Sequence, residues 1–257
     1  MPTAREVWSA GDWPSLSKLV VSAGEATAAH SGAGPGMEVL DVGAGDGNVA
    51  IPLAKTGARV IALDPTPELF ESGRARAAEA RVDIEWVEGD AMDLPYEDGR
   101  FDVVTSNFGA MFAPDHARAA AELTRVGGRV VMTTWAADHM NGQLFSALAP
   151  FMPPPPEGAQ PPPLWGVEEH VRECFAPTGR TVTIERDSAP VAFESLDAYT
   201  DFVTTVLGPL ALARPALEEA GLWDDVRAAV RANFERFNEA DDGSFSAAPK
   251  YLRITAD

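Results

Sequence analysis

Short apolar runs rich in β-branched residues alternate with amphipathic segments in the first half of the chain. Buried parallel strands are almost continuously apolar, whereas helices repeat every 3.6 residues, so the runs predict strands and the segments predict helices. The predicted strands are Glu38–Val42, Arg59–Leu63, Asp83–Glu88, Phe101–Ser106 and Arg129–Thr134. The predicted helices are residues 14–30, 47–55, 67–80 and 115–126. Strands joined by helices favour an α/β fold with a doubly wound, mainly parallel sheet.

The pattern changes after Thr134. Residues 150–163 contain eight prolines, which predicts extended, partly polyproline II structure. The elements predicted beyond this segment are helices 167–175, 195–207 and 215–240, with Pro215 in a first turn, and strands 181–186 and 251–255. These helices are too many to be sheet crossovers, so we expect them to form a lid over the core.

Composition excludes several partners. The net charge of −19 and the presence of only three lysines disfavour phosphate backbones and anionic membranes, so we expect neither a nucleic-acid nor a membrane partner. The amino terminus lacks a basic segment followed by an apolar one, and no stretch is apolar enough to span a bilayer, so we expect a cytoplasmic protein.

The cysteine and histidine content predicts no metal site. Cys174 is the only cysteine, so it can form no intrachain disulfide, and we expect it to be a buried packing residue. The four histidines are dispersed along the sequence, and we expect His116 at the surface.

The stretch VLDVGAGDGNVA, residues 39–50, places a glycine-rich turn directly after the first predicted strand. It approaches the dinucleotide pattern G-x-G-x-x-G, but Asn48 stands where the third glycine would be. Asp46 would repel a pyrophosphate at the helix N-terminus. S-adenosylmethionine has no phosphate, and its ammonium and sulfonium groups suit Asp41 and Asp46. The loop therefore favours S-adenosylmethionine over NAD.

Three further strand ends carry polar residues that can meet such a ligand. Asp64 can accept the ribose hydroxyls of any adenosine cofactor, although an Asp before Pro65 also opens turns. Asp90, with the backbone N–H groups that follow it, can bind the adenine edge or merely cap a turn. Asn107 ends the fourth strand. The sequence lacks a phosphate-binding loop of the G-x-x-x-x-G-K-[ST] type and a G-x-S-x-G nucleophile elbow.

Taken in order, three stretches resemble the successive motifs of class I S-adenosylmethionine-dependent methyltransferases, in particular the ubiquinone/menaquinone-type small-molecule branch. The stretches are VLDVGAGDGNVAIPLAKTGARVIALDPTPELF, WVEGDAMDLPYEDGRFDVVTSNFGAMFAPD and AAAELTRVGGRVVMTTW. The resemblance implies a Rossmann-like sheet, S-adenosylmethionine as the cofactor and S-adenosylhomocysteine as the product. It implies a cofactor site formed by Asp41, Gly43, Ala44, Gly45, Asn48, Asp64, Pro65, Asp90, Ala91, Met92, Asn107 and Phe108.

Within that resemblance we expect one domain over residues 1–257. Its parts are an N-terminal helical lid (1–35), a cofactor-binding core (36–136), a Pro-rich insertion with a helix (137–180), and the remaining strands with inserted lid helices (181–257, helices at 195–240).

The expected reaction is in-line methyl transfer to a small organic molecule at O, N or C, in which proximity and desolvation dominate. His139 is the candidate general base, because the loop after the fifth strand borders the substrate side. The candidate substrate-lining residues are Trp13, Met111, Phe112 and Trp135. Two alternatives remain open: an NAD(P)-dependent oxidoreductase, and a protein on the same fold that binds S-adenosylmethionine without transferring its methyl group.

Overall fold

A computed structural model describes residues 2–257, so Met1, the first residue of the expected N-terminal lid, lies outside the described residues. The strands are β1 Glu38–Val42, β2 Arg59–Asp64, β3 Ile84–Glu88, β4 Phe101–Asn107, β5 Gly127–Trp135, β6 Val182–Ser188, β7 Val191–Phe193, β8 Phe245–Ala247 and β9 Lys250–Ala256. The α-helices are α1 Ala4–Ser9, α2 Trp13–Ser17, α3 Val21–Ser31, α4 Ala50–Lys55, α5 Phe70–Ala80, α6 His116–Val126, α7 Met140–Leu148, α8 Glu168–Phe175, α9 Leu196–Val206, α10 Gly208–Glu219 and α11 Trp223–Glu235. Short 3₁₀ turns lie at 18–20, 67–69, 110–112, 149–151, 162–166 and 176–178.

Seven strands form one sheet in the order β3-β2-β1-β4-β5-β9-β6. β1 to β5 pair in parallel, and β9 runs antiparallel to both β5 and β6. The chain moves outwards from β1 to β3 and then returns to place β4 on the other side of β1. The carboxyl ends of β1 and β4 therefore flank the topological switch point, where open α/β sheets bind ligands. This arrangement confirms the predicted fold class.

The central strands are buried because helices cover both faces of the sheet. Leu40 and Val42 of β1 and Val104 of β4 pack in one hydrophobic cluster, while Val39 and Val103 face a second cluster formed with α3 and α4. Alternate residues of one strand thus enter opposite layers, which is why both strands read as continuous apolar runs.

The second half of the chain departs from the prediction. The expected helix 215–240 is two helices, α10 and α11, because Gly221 (φ +70°) breaks the path between them. Pro215 lies inside α10, and it is Pro209 that occupies the first turn. Helices α7, α9 and α11 and the short β7–β8 ladder form a separate apolar cluster beside the sheet.

The N-terminal segment contains α1, which the sequence pattern did not predict. Thr3 and Glu6 form a reciprocal capping box that starts this six-residue helix. Gly11 and Gly208 allow its close approach to α10, since a Cβ on Gly208 would come within 2.3 Å of the Val7 oxygen. The predicted helix 14–30 is likewise α2 and α3 joined by a 3₁₀ turn.

Helix α6 runs directly into β5 without a loop. Arg180 stabilises this junction, because its guanidinium donates to the carbonyls of Thr124, Gly127 and Gly128 at 3.1, 2.7 and 2.6 Å. The junction lies at the end of the sheet opposite the switch point. No helix within residues 2–257 has the length and apolar character needed to cross a membrane.

Candidate functional site

Two adjoining cavities open at the carboxyl ends of β1, β2 and β4. The smaller, of about 140 Å³, is lined by the glycine loop and the ends of β2 and β4. The larger, of about 730 Å³, extends under the Pro-rich segment and the helices of the second half. Five residues line both cavities: Trp8, Trp13, Phe108, Phe112 and Pro114. A ligand in the smaller cavity would therefore lie beside a ligand in the larger one.

The glycine loop packs directly against the backbone that follows β4. Gly43 and Gly45 have φ values of +67° and +55°, a region that favours glycine. A Cβ on Gly43 would lie 2.6 Å from the Gly109 Cα, and one on Gly109 would lie 2.7 Å from the Gly43 Cα. Both glycines line the smaller cavity, whereas Ala44 is buried in the loop and does not. Gly109 is a site residue that the sequence reasoning missed.

Asp64 holds the loop and faces the smaller cavity. Its Oδ2 accepts from the Gly45 N–H at 2.8 Å, and its Oδ1 accepts from the Thr66 N–H at 2.9 Å. Burial raises the pKa of this carboxyl to about 6, since desolvation outweighs the backbone hydrogen bonds. Each oxygen keeps a lone pair, so Asp64 can still accept the hydroxyls of a ribose.

Asp41 lies beneath the loop rather than in the cavity wall. It is fully buried, and Thr105 donates to its Oδ1 at 2.8 Å. Its Oδ2 has no hydrogen-bond partner among the described residues. Burial, as the main cause, raises the pKa of this carboxyl to about 7. The fold thus keeps an incompletely paired acid under the loop.

Asp46 and Asn48 do not face the cavity, which corrects the charge argument drawn from the loop sequence. Asp46 accepts from Ser17 Oγ at 2.9 Å and pairs with Arg76 at 2.8 Å. Asn48 donates to the Ser17 carbonyl and accepts from Arg76, both at 2.8 Å. The two departures from the dinucleotide pattern therefore fasten the N-terminal segment to the loop. Because Arg76 compensates the Asp46 charge, that charge would not meet a bound pyrophosphate, and Asn48 would not touch a cofactor.

The turn after β3 contributes the far wall of the smaller cavity. Asp90, Ala91 and Met92 line it together with Pro65. Asp90 is exposed, and its Oδ1 accepts from the Met92 N–H at 2.8 Å. This bond orients the carboxylate, whose remaining lone pairs are open to the cavity.

The end of β4 links the two cavities. Thr133 donates to Asn107 Oδ1 at 2.7 Å and thereby fixes the amide. Phe108 follows with φ +55°, an unfavourable conformation for a bulky residue, and its ring stacks on Trp135 at a centroid distance of 3.8 Å. Backbone strain of this kind persists only where the surroundings impose it, and it clusters at functional sites. Phe108 lines both cavities, and Trp135 lines the larger one.

The wall of the larger cavity is almost entirely apolar. Within residues 2–257 it contains no Asp, Glu, Lys, Arg or His side chain. Its polar side chains are Asn141, Ser146, Gln160 and Tyr199, besides the indoles. Of the predicted substrate-lining residues, Trp13, Phe112 and Trp135 lie in this wall. Met111 does not, because it is fully buried in the core beneath.

Trp13 has a particular place between the cavities. Its indole Nε1 lies 2.6 Å from where a Cβ on Gly45 would be. That Nε1 is buried without a hydrogen-bond partner among the described residues. A buried donor without a partner costs about 1–3 kcal/mol, so this N–H is suited to a ligand acceptor.

The position of His139 contradicts its assignment as a general base. It precedes α7 and lines neither cavity. Its Nδ1 accepts from the Lys250 N–H at 3.2 Å, and its ring packs against Phe237 at 4.7 Å. Ala137 and Asn141, on either side of His139 in the chain, line the larger cavity, so it is only the His139 side chain that lies outside it.

The structure brings together His116, His170 and Cys174, which the sequence reasoning treated as unrelated. His116 is fully buried rather than at the surface. Its Nδ1 lies 2.8 Å from His170 Nε2, which lies 3.4 Å from Cys174 Sγ. Burial, the main cause in both cases, lowers the pKa of His116 to about 4 and raises that of Cys174 to about 11. His170 and Cys174 are four residues apart on α8, so helical spacing did contain the signal.

Sequence comparison agrees with this geometry. A family model described as a methyltransferase domain matches residues 40–132, which include the loop, Asp64, Asp90 and Asn107. A demethylmenaquinone methyltransferase of Mycobacterium sp. (strain JLS) is 37% identical over 204 residues, covering 78% of this chain and 74% of that protein. An uncharacterized protein of Mycobacterium tuberculosis is 39% identical over 212 residues, covering 80% and 77%.

Structural comparison supports the fold alone. The YcgJ protein from Bacillus subtilis superposes with a TM-score of 0.60 at 18% identity, over 89% of this chain and 94% of that one. The switch-point cavity, the family model and the extended match to a methyltransferase converge on one assignment. The chain belongs to the class I S-adenosylmethionine-dependent methyltransferases.

Proposed function

We propose that the protein binds S-adenosylmethionine in the smaller cavity and transfers its methyl group to a small, neutral, predominantly apolar organic molecule in the larger one. The observation that carries this proposal is the shared wall between a switch-point cavity that presents Asp64 and Asp90 and an apolar cavity whose described wall has no charged side chain.

The residues of the smaller cavity fit the cofactor. Gly43 and Gly45 leave room for its methionine end, Asp64 suits its ribose, and the Asp90 turn suits its adenine. When bound, the cofactor supplies a methyl group on a positively charged sulfur. Asn107 and Phe108 would lie at that end, since they stand where the two cavities join.

The larger cavity supports the acceptor class. Its volume of about 730 Å³ lies within the range of small-molecule sites. Burying an unpaired charge in such a wall costs several kcal/mol, so a neutral acceptor fits better than an ionic one. The stacked rings of Phe108 and Trp135 offer a flat apolar surface to an aromatic acceptor.

The same wall favours an acceptor atom that needs no general base. No described side chain with an ordinary pKa near neutrality lines the larger cavity. Tyr199 lines it, but burial raises the pKa of its hydroxyl further above neutrality. An activated carbon suits this site because it can attack without first losing a proton, whereas a hydroxyl would need a proton acceptor. Positioning and exclusion of water would then supply most of the rate enhancement.

Two flanking regions would act as the lid of this single domain. Residues 4–17 supply Trp8 and Trp13, and helices α9 to α11 supply Tyr199, Val203 and Phe234 to the cavity wall. Arg5 joins the N-terminal region to the core through Glu68, with Nε to Oε1 at 2.8 Å.

The test is transfer of isotopically labelled methyl from S-adenosylmethionine into a total metabolite extract of cells, after which the organic and aqueous phases are analysed separately by mass spectrometry. We expect labelled products that gain one CH₂ unit and partition into the organic phase. Val203→Phe should block transfer without changing S-adenosylhomocysteine affinity, because Val203 lines only the larger cavity. Labelled products confined to charged, water-soluble molecules would contradict the acceptor class. Intact cofactor with no product from any extract would favour a non-methylating role.

A further inference from the structure

The cluster of His116, His170 and Cys174 contains the donor set of a transition-metal site. Each residue offers one ligand atom, and the three atoms lie within 4.8 Å of one another. Imidazole nitrogen and thiolate sulfur are the ligands that zinc prefers in proteins. We propose that these three side chains bind one zinc-type divalent cation, with water as the fourth ligand.

The geometry requires only small side-chain adjustments. Tetrahedral zinc with Zn–N of about 2.0–2.1 Å and Zn–S of about 2.3 Å holds its ligand atoms about 3.3–3.6 Å apart. The observed separations are 2.8 Å from His116 Nδ1 to His170 Nε2 and 3.4 Å from that nitrogen to Cys174 Sγ. Insertion of the cation replaces the contact between the two imidazoles by two metal–nitrogen bonds.

The local fold supplies both rigidity and access. His116 and Cys174 are buried, whereas His170 is half-buried, so one side of the cluster remains open to water. His170 and Cys174 share one face of α8, and His116 begins α6. Binding releases the Cys174 thiol proton to solvent as the metal–sulfur bond forms, while both imidazoles bind in their neutral form.

The position of the cluster gives the metal a structural role. The backbone N–H of His116 donates to Gln160 Oε1 at 3.0 Å, and the backbone N–H of Gln160 donates to the Pro114 carbonyl at 2.9 Å. Pro114 and Gln160 both line the larger cavity. A metal joining α6 to α8 would therefore fix the segment that carries this wall.

The test uses the full-length protein, freed of metal by a chelator and then titrated with Zn²⁺ or Co²⁺ alone. We expect one equivalent of metal per chain, a thiolate-to-cobalt charge-transfer band in the near ultraviolet, and a higher Tm with Zn²⁺. Cys174→Ser should abolish the charge-transfer band. His170→Asn, at a half-buried position that tolerates the change, should weaken Zn²⁺ binding roughly tenfold or more.

His30→Asn is the matched control, because His30 bonds to Thr255 and lies outside the cluster. It should retain the stoichiometry and the cobalt band. The proposal is overturned if folded wild-type protein binds no metal, which would leave a plain Cys–His–His hydrogen-bond cluster. It is equally overturned if Cys174→Ser and His170→Asn bind metal as the wild type does. Neither result bears on methyl transfer, so this proposal and the proposed function fail separately.

Discussion

The buried Asp41 carboxyl should make the free energy of unfolding fall as pH rises. Its pKa rises from 3.8 to about 7 because it is fully buried. A carboxyl with a higher pKa in the folded chain holds its proton more tightly when folded. Its contribution to stability is therefore complete below pH 3.8 and is lost as pH rises through about 7. The total loss is about 4 kcal/mol, of which about 3 kcal/mol falls between pH 5 and pH 8.5.

Asp41→Asn removes this ionisation and keeps an oxygen for Thr105 to donate to. Urea unfolding at pH 5 and pH 8.5 would measure the free energy of unfolding of both proteins. The free energy of unfolding of the variant minus that of the wild type should increase by about 3 kcal/mol from pH 5 to pH 8.5. Any effect of the substitution that does not depend on pH cancels in this comparison. Asp83→Asn, the same change at an exposed residue, should show almost no such gain. If Asp41→Asn gains no more than this control, the carboxyl is not held neutral by burial and the reasoning is refuted.

Three further substitutions separate cofactor binding from stability. Asp64→Asn should weaken S-adenosylhomocysteine binding roughly 10- to 100-fold in calorimetry, since a charge-assisted hydrogen bond contributes about 1.5–3 kcal/mol; unchanged affinity would refute its ribose role. Trp13→Phe removes the unpartnered indole N–H and should weaken S-adenosylhomocysteine binding by roughly tenfold or less, whereas Trp8→Phe, at another residue of the cavity wall, should leave the affinity nearly unchanged. Equal losses of affinity would refute a hydrogen bond from Trp13. Arg180→Ala removes three hydrogen bonds to backbone carbonyls and should lower the free energy of unfolding in urea by about 2–3 kcal/mol, whereas Arg172→Ala removes one such bond and should lower it by about 1 kcal/mol. Equal losses would contradict the stabilising role of Arg180 at the α6–β5 junction.

The sheet could be predicted from the sequence because its strands are locally determined. β1 matched residue for residue, and β2 to β5 differ from the prediction by at most two residues at either end. Each is a buried run whose apolar character does not depend on any distant contact. The polar strand ends Asp64 and Asn107 followed from the same reasoning, since parallel strands bring their carboxyl ends to one edge.

The second half of the chain and helix α1 were harder to predict because long-range contacts determine their structure. A continuous apolar pattern over residues 215–240 does not reveal that Gly221 adopts a positive φ and separates α10 from α11. Helix α1 is short and has no buried residue, so it has almost no periodic signal. Its position depends instead on contacts such as that between Gly208 and Val7.

The wrong predictions for individual site residues have one cause: the direction in which a side chain points depends on tertiary contacts that the local sequence does not reveal. Asp46 and Asn48 have the right position in the loop, yet they turn towards Ser17 and Arg76. His139 lies in the right loop, yet it packs on Phe237 outside the cavities. The converse error concerns His116, which is 54 residues from His170 in sequence but within hydrogen-bond distance of it.

We expect the cavity at the switch point to bind a sulfonium cofactor, and calorimetric titration is the most direct test of this binding. Wild-type protein would be titrated separately with S-adenosylhomocysteine and with NAD under identical conditions. We expect saturable binding of one S-adenosylhomocysteine per chain and no measurable heat with NAD. Saturable binding of NAD without binding of S-adenosylhomocysteine would contradict it.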